Sequence, residues 1–420
     1  MTSPKINFSP KGLFIGGKWV DSYKGERFST INPSNGQHLG EVPLAEKEDV
    51  NRAVIAAKQA FQDWGKMPLK ERAGFLIKLA DKLLENRDEL GMMDCVDSGN
   101  ALNGMKGDVD WSSDSLKYFA GLISEIKGET FSEKPGHLNF TRRQPYGVVA
   151  KINPFNHPLR FCAEKSAAAL AAGNTVIVKA SEQAPLSSLR FAEICEEILP
   201  EGVVNVLTGD AICGDAMVRH EDVRRVGVVG SVSTGKIIAK AAAEDLTHVS
   251  LELGGKNPII IFPDADPKKA ANFAVKGMNM NRQGQSCSST SRVLVHKDLH
   301  HEVLKEMKRL AEDLPVGLPW LEKNELGPIV SEIQYKKILN YISSAKNEGA
   351  DLITGGEIPK EQELQNGFFI QPTIFDKVKM DMKIGKEEIF GPVMSDIEWD
   401  DYESMISLAK GIEYGLTAMI

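Results

Sequence analysis

The sequence predicts an α/β fold in two principal domains. Three observations predict it. From Gly147 to about Glu252, five short apolar and β-branched runs, GVVAKIN, TVIVKA, VVNVLTG, RVGVVGS and THVSLELG, alternate with helical stretches, the signature of parallel strands joined by crossover helices. After GGKNPIIIFPDAD the alternation resumes, which starts a second α/β domain near Gly254. A chain of 420 residues is also too long for one ordinary core.

The elements follow in order. Val50, Ala53, Val54, Ala57, Phe61 and Trp64 recur at helical spacing and make residues 49–64 an amphipathic helix. PLKERAGFLIKLADKLLENRDELGMM carries the same period behind a proline, so a second helix is expected over 68–93 and the first part of the chain reads as largely helical. Residues 129–147 are polar and extended without a helical period, which suits either a hairpin arm reaching to another subunit or a surface loop. The strands of the middle region contain few polar residues, as in a sheet covered on both faces. In the second domain a long helix is expected over 267–284, then the segment NRQGQSCSSTSR and the strand RVLVH.

Composition narrows the function. Hydrophobic residues make 42% and charged residues 26%, ordinary values for a soluble globular chain. A net charge of -8 argues against a nucleic-acid or membrane-surface binder, which needs a basic face. The start lacks the apolar run of a secretory signal, so a cytoplasmic location is expected. Cysteines 95, 162, 195, 213 and 287 are odd in number and contain no C-x-x-C pair, so neither a disulfide framework nor a zinc knuckle is expected. With no H-E-x-x-H, and His300 and His301 adjacent rather than a turn apart, no catalytic metal is predicted.

Five stretches could carry chemistry, each with a plainer alternative. Cys287 lies among glycine, glutamine, serines and an arginine, which suits an accessible thiolate nucleophile or a small residue in a polar turn. In LELGGKNP, Glu252 ends a strand ahead of two glycines; partial burial would fit it as a general base, and a solvated carboxylate is the alternative. In KINPFNHP, Asn156 lies between two prolines that would fix its amide as an oxyanion donor, unless the residues only mark a turn. VGSVSTGK opens a helix after a strand and could hold a phosphate at Gly230 and Ser231, although it is not G-x-G-x-x-G. Lys179 and Glu182 stand just past a strand end, where a carboxylate accepts from ribose hydroxyls and repels a 2′-phosphate; a solvated loop is the alternative.

Together PFNHP, VKASEQAP, GSVSTG, LELGGK, GQSC and EEIFGPV, in this order, resemble the NAD(P)-dependent aldehyde dehydrogenase superfamily from about Phe14 to the last residue. The resemblance implies a modified Rossmann cofactor domain (1–128 and 148–253), a small β oligomerisation arm (129–147) and an α/β catalytic domain (254–420). It further implies that Cys287 attacks an aldehyde carbonyl, that Asn156 and the Cys287 N–H hold the oxyanion, that Glu252 activates water on the thioester, and that Lys165 stands behind Asn156. Cofactor contacts would fall to Lys179, Glu182, Gly230, Ser231, Gly235, Glu388 and Phe390, with NAD favoured and NADP possible. His157, Phe161, Glu164, Ser286 and Ser288 would line the substrate pocket.

Against the family pattern, Phe155 replaces tryptophan, His157 an aromatic residue and Val232 threonine. Glu164, with His157, suggests a polar or cationic substrate end such as an amino-aldehyde; the alternative is a salt bridge to Arg160 one turn away. YGLTAMI falls where the family's chains continue, so an incomplete catalytic domain is expected, and with the remainder present a homodimer or homotetramer. The competing functions are a CoA-acylating or acyl-transferring thiol enzyme and an inactive member serving as a binding or structural protein.

Overall fold

The structure is a computed structural model that describes residues 3–420. LFIGGKWV folds as a hairpin of β1 (Leu13–Ile15) and β2 (Lys18–Val20). Its two-residue turn needs positive φ, which Gly16 (61°) and Gly17 (76°) supply. A second hairpin, β3 (Arg27–Ile31) with β4 (His38–Pro43), precedes four helices: α1 (Lys47–Trp64), α2 (Leu69–Glu85), α3 (Arg87–Ser98) and α4 (Leu102–Leu122). The single helix expected over 68–93 is two. Asn86 leaves helical geometry at φ −102°, ψ 18°, and its Nδ2 donates to the Lys82 carbonyl at 2.8 Å, ending α2 and starting α3. The polar segment 129–147 contains a hairpin of β5 (Thr130–Phe131) and β6 (Asn139–Phe140).

The alternating region supplies β7 (Val148–Ile152), α5 (Pro158–Ala171), β8 (Thr175–Ala180), α6 (Leu186–Ile198), β9 (Val204–Thr208), α7 (Ala211–Val218), β10 (Val223–Val229), α8 (Val232–Glu244) and β11 (His248–Glu252). Its strands are parallel in the order β11-β10-β7-β8-β9, and the sequence-distant β1 and β2 extend the sheet antiparallel beyond β9. Every residue of β8 is buried. Val176 and Val178 pack into a core with α2 to α6, while Ile177 between them packs into a second core with α1, α7 and α8. Side chains of a strand alternate between faces, so an unbroken apolar run serves both layers.

The second sheet holds β12 (Pro258–Ile261), β13 (Arg292–His296), β14 (Asp351–Thr354), β15 (Thr373–Asp376) and β16 (Val393–Trp399) in the order β12-β13-β16-β15-β14, parallel except for β14. Helices α9 (Pro267–Gly277), α10 (Lys297–Glu312), α11 (Glu332–Glu348), α12 (Lys383–Lys386) and α13 (Tyr402–Lys410) complete this half. The helix expected over 267–284 stops at Gly277, where Thr290 occupies the space a Cβ would need. The chain then winds through three left-handed residues, Asn279, Gln283 and Gly284, around a short 3-10 turn at Met280–Arg282. This break leads into the loop that carries Cys287, whose thiol lies near enough to Glu252, at the carboxyl end of β11, to feel its charge, and that end is the usual ligand side of an open α/β sheet. Among the described residues no helix is long and apolar enough to cross a membrane.

Candidate active site

Of the five cysteines, four are buried and Cys287 alone is partly accessible. Its loop is held by amides. Asn257 Nδ2 donates to the Cys287 carbonyl at 2.7 Å and the Ser289 carbonyl at 3.0 Å. Gln283 Nε2 reaches the Gly99 carbonyl at 3.0 Å, and Gln285 accepts from the Val330 N–H at 3.3 Å. Ser286 and Ser288 bond each other at 3.1 Å on either side of the thiol. Burial pushes the Cys287 thiol up, and the Glu388 and Glu252 carboxylates push it the same way.

Asn156 lies between β7 and α5, with Pro158 as the first helical residue. Buried side chains of the preceding helices fix its turn. Asn100 Nδ2 donates to the Asn156 carbonyl at 3.1 Å, and Asp94 Oδ2 accepts from the Leu159 N–H at 3.2 Å. Asp108 Oδ2 lies 2.6 Å from His157 Nδ1, while its Oδ1 accepts from Arg282 Nη2 at 2.7 Å. Arg282 is five residues before Cys287, so Asp108 ties the asparagine turn to the thiol loop. Burial would raise the Asp108 carboxyl, but His157, Arg282 and Arg160 outweigh it and hold it below the usual range. Asp94 lacks such partners, and burial pushes it up to about 8. The Asn156 Oδ1 atom is buried without a partner, an unsatisfied polar group of the kind that functional sites retain.

Glu252 ends β11, the edge strand of the first sheet, and is exposed, which matches the solvated carboxylate and not the partly buried one. Its exposure follows from its place, because β11 pairs with a strand on one side only. The space at Gly254 is taken by the Glu388 carboxylate, and Gly255 N donates to Glu388 Oε1 at 3.0 Å. Phe390 takes φ 58°, a strained conformation for a phenylalanine, with its carbonyl held by Gln334 Nε2 at 2.8 Å. Its ring meets Phe155 edge-on at 5.7 Å, which joins the two halves of the molecule.

At the carboxyl end of β8 the buried Lys179 Nζ donates to the carbonyls of Gly209 (2.7 Å) and Ala180 (3.0 Å) and to Glu182 Oε2 (3.2 Å). Glu182 remains half exposed. Ser231 caps α8 by accepting from the Thr234 N–H, and the first turn of that helix is largely exposed after Gly230. At Gly235 the Leu253 side chain comes within 2.6 Å of where a Cβ would stand, so only a glycine lets α8 pack this closely against the chain. An anchored strand-end carboxylate, an exposed helix N-terminus and the half-buried Glu388 beside Phe390 fit a dinucleotide laid across the carboxyl edge of the sheet.

On α5, Arg160 Nε donates to Glu164 Oε2 at 2.6 Å, and Lys165 Nζ lies 3.3 Å from Glu164 Oε1. Two cations of its own helix therefore neutralise Glu164. The salt-bridge alternative describes it, and the carboxylate expected for a cationic substrate is already paired. The Arg160 guanidinium also lies 4.5 Å from the Trp111 ring centre, and Lys165 Nζ 5.6 Å from that of Phe161. Phe161 packs at 5.2 Å against His157. Asn100, Asp94, Asp108 and Arg282 were not among the residues expected from sequence; only Arg282, a charge inside the cysteine segment, offered a local signal.

Residues 19–420 match the aldehyde dehydrogenase family. The aldehyde dehydrogenase tropH of Talaromyces stipitatus is 43% identical over 418 residues, 97% of this chain and 81% of that protein. The solved NAD+ complex of an aldehyde dehydrogenase from Bacillus cereus is 40% identical with a TM-score of 0.94, covering 99% of this chain and 84% of that one. A 3,6-anhydro-L-galactose dehydrogenase solved in complex with NAP is 31% identical with a TM-score of 0.96, covering 98% and 87%. These likenesses support aldehyde oxidation over the acyl-transferring and non-catalytic alternatives. With its fold and the matched span of its sequence, the chain belongs to the aldehyde dehydrogenase family and oxidises an aldehyde to the carboxylic acid with NAD(P)+.

Proposed function

We propose that Cys287 is the nucleophile of this reaction, and the observation that carries the assignment is that it alone of five cysteines is accessible, in a loop pinned through its own carbonyl. The Cys287 thiolate bonds the aldehyde carbon as the C=O π bond opens, and the carbonyl oxygen becomes an oxyanion stabilised by the Asn156 amide and the Cys287 N–H. NAD(P)+, when bound, supplies the hydride acceptor that turns this thiohemiacetal into a thioester. Glu252 takes a proton from water as the water oxygen attacks the thioester carbon; the C–S bond breaks, the acid leaves and the thiolate returns. Lys165 supports the Asn156 side of the site from α5. Lys179, Glu182, Ser231, Glu388 and Phe390 seat the cofactor, and the half-exposed Glu182 favours NAD over NADP by repelling a 2′-phosphate.

The same reading assigns 1–128 and 148–253 to the cofactor domain and 254–420 to the catalytic domain. The 129–147 hairpin, with Phe131, Leu138 and Phe140 more than half exposed, serves as an arm for a second copy of the chain in a homo-oligomer. Cys287→Ala should lower kcat by at least about 10³-fold with NAD+ and a simple aldehyde, with unchanged thermal unfolding. Full activity in that variant, followed by absorbance of the reduced cofactor, would remove Cys287 from the mechanism.

A further inference from the structure

Away from the site, at the carboxyl side of the second sheet, three elements bring a histidine and two aspartates together. His300 lies in the first turn of α10, Asp376 ends β15, and Asp396 is in the middle of β16. His300 Nε2 is 2.8 Å from Asp396 Oδ1 and 3.1 Å from Asp376 Oδ1, and the three ligand atoms lie within 4.8 Å of one another. Cys287 precedes β13 and Phe390 precedes β16, so the thiol and this cluster stand toward opposite ends of the same parallel strands.

Three features distinguish the cluster from a surface ion pair. Asp396 is completely buried, and its second oxygen, Oδ2, has no partner. His300 is the sole ion-pair partner of both aspartates among the described residues, so the single Nε2 hydrogen is divided between two carboxylates. The other ring nitrogen, Nδ1, lies 3.3 Å from Glu398 Oε2. A carboxylate on the far nitrogen is the usual outer partner of a metal-ligating histidine, where it fixes the tautomer and ring orientation.

We propose that His300, Asp376 and Asp396 form a binding site for one divalent transition-metal ion of the zinc class, with Glu398 as the outer partner of His300. An imidazole nitrogen with two carboxylate oxygens suits Zn²⁺, Co²⁺ or Ni²⁺, whereas Mg²⁺ and Ca²⁺ prefer all-oxygen sets. Ligands of a tetrahedral ion at about 2.0–2.2 Å stand roughly 3.4 Å apart, so the two separations between His300 and the aspartates, 2.8 and 3.1 Å, would widen by roughly 0.3–0.6 Å. The ion would take the position of the shared proton, engage Asp396 fully and leave one coordination position to water. Its effect is structural: it clamps α10 onto β15 and β16 and takes no part in aldehyde oxidation.

The test uses the full chain carrying Cys287→Ala, so that the active-site thiol does not bind the metal, freed of metal by chelator and titrated calorimetrically with Zn²⁺. One ion per chain is expected, with a Zn²⁺-dependent rise in thermal midpoint. His300→Gln and Asp396→Asn should each abolish binding, and Glu398→Gln should weaken it by about tenfold. X-ray absorption of the zinc-loaded chain should give a nitrogen and oxygen shell with one imidazole, a readout that needs no variant of the cluster to fold. No stoichiometric binding, binding unchanged in both ligand variants, or a shell without imidazole would show that the cluster is only a histidinium held by carboxylates.

Discussion

The surroundings of Cys287 disfavour its thiolate, burial first and then Glu388 and Glu252, so removing a neighbouring negative charge should ease ionisation. Glu388→Gln should shift the pH profile of Cys287 alkylation in the cofactor-free enzyme toward lower pH; an unshifted profile would remove Glu388 from the thiol's environment. Single residues of this kind were legible in the sequence where chemistry and chain position coincide. Glu252 and Asn156 sit where strand-forming runs end, and the spacing of glycine and proline marks those ends. Burial was not legible there: Glu252 is exposed because β11 is an edge strand, and strand order is a property of the assembled sheet.

At the scale of elements, the α3–α4 pair holds both halves of the site. Asp108 on α4 grips the turn before α5 through His157 and the cysteine loop through Arg282. Asp108→Asn leaves Arg282 without its buried counter-charge, and breaking such a pair costs about 3 kcal/mol or more. The variant should lose that much stability in urea and also lose kcat; wild-type values of both would contradict the link. Asp94 on α3 sets a pH dependence. Its folded pKa of about 8 lies above the ordinary carboxyl value near 4, so between those values the folded chain holds a proton that the unfolded chain has released. Its contribution to stability is whole below about pH 4 and is lost as pH rises through 8, at up to about 1.4 kcal/mol per pH unit. Asp94→Asn should flatten the fall of the urea midpoint between pH 5 and 8, and an equal slope in both proteins would contradict it. None of these contacts was readable beforehand. His157 and Asp108 are separated by 49 residues and Arg282 and Asp108 by 174, beyond the reach of helical or strand period. The hairpin LFIGGKWV, by contrast, carries a Gly-Gly turn signal between apolar runs, a local signal legible in the sequence.

At the scale of the whole molecule, the proposed site depends on two sheets meeting. The first brings Asn156, Glu252 and the Lys179–Glu182 pair to its carboxyl edge, and the second brings Cys287, Glu388 and Phe390 from the loops ahead of β13 and β16. The alternation of strands and helices made both sheets legible, because covered parallel strands leave continuous apolar runs. Their joining was legible only through resemblance, since Phe155 against Phe390 and Asp108 against Arg282 are contacts between distant parts of the chain. The central claim is that this interface forms a covalent thioester on Cys287 that Glu252 helps to hydrolyse. The most direct measurement mixes Glu252→Gln enzyme rapidly with NAD+ and an aldehyde, follows the reduced cofactor, and identifies the acylated peptide by mass spectrometry. The account predicts a burst of one reduced cofactor per active site followed by slow turnover, with the acyl group on Cys287. Steady turnover without a burst, or an acyl group on another residue, would contradict it.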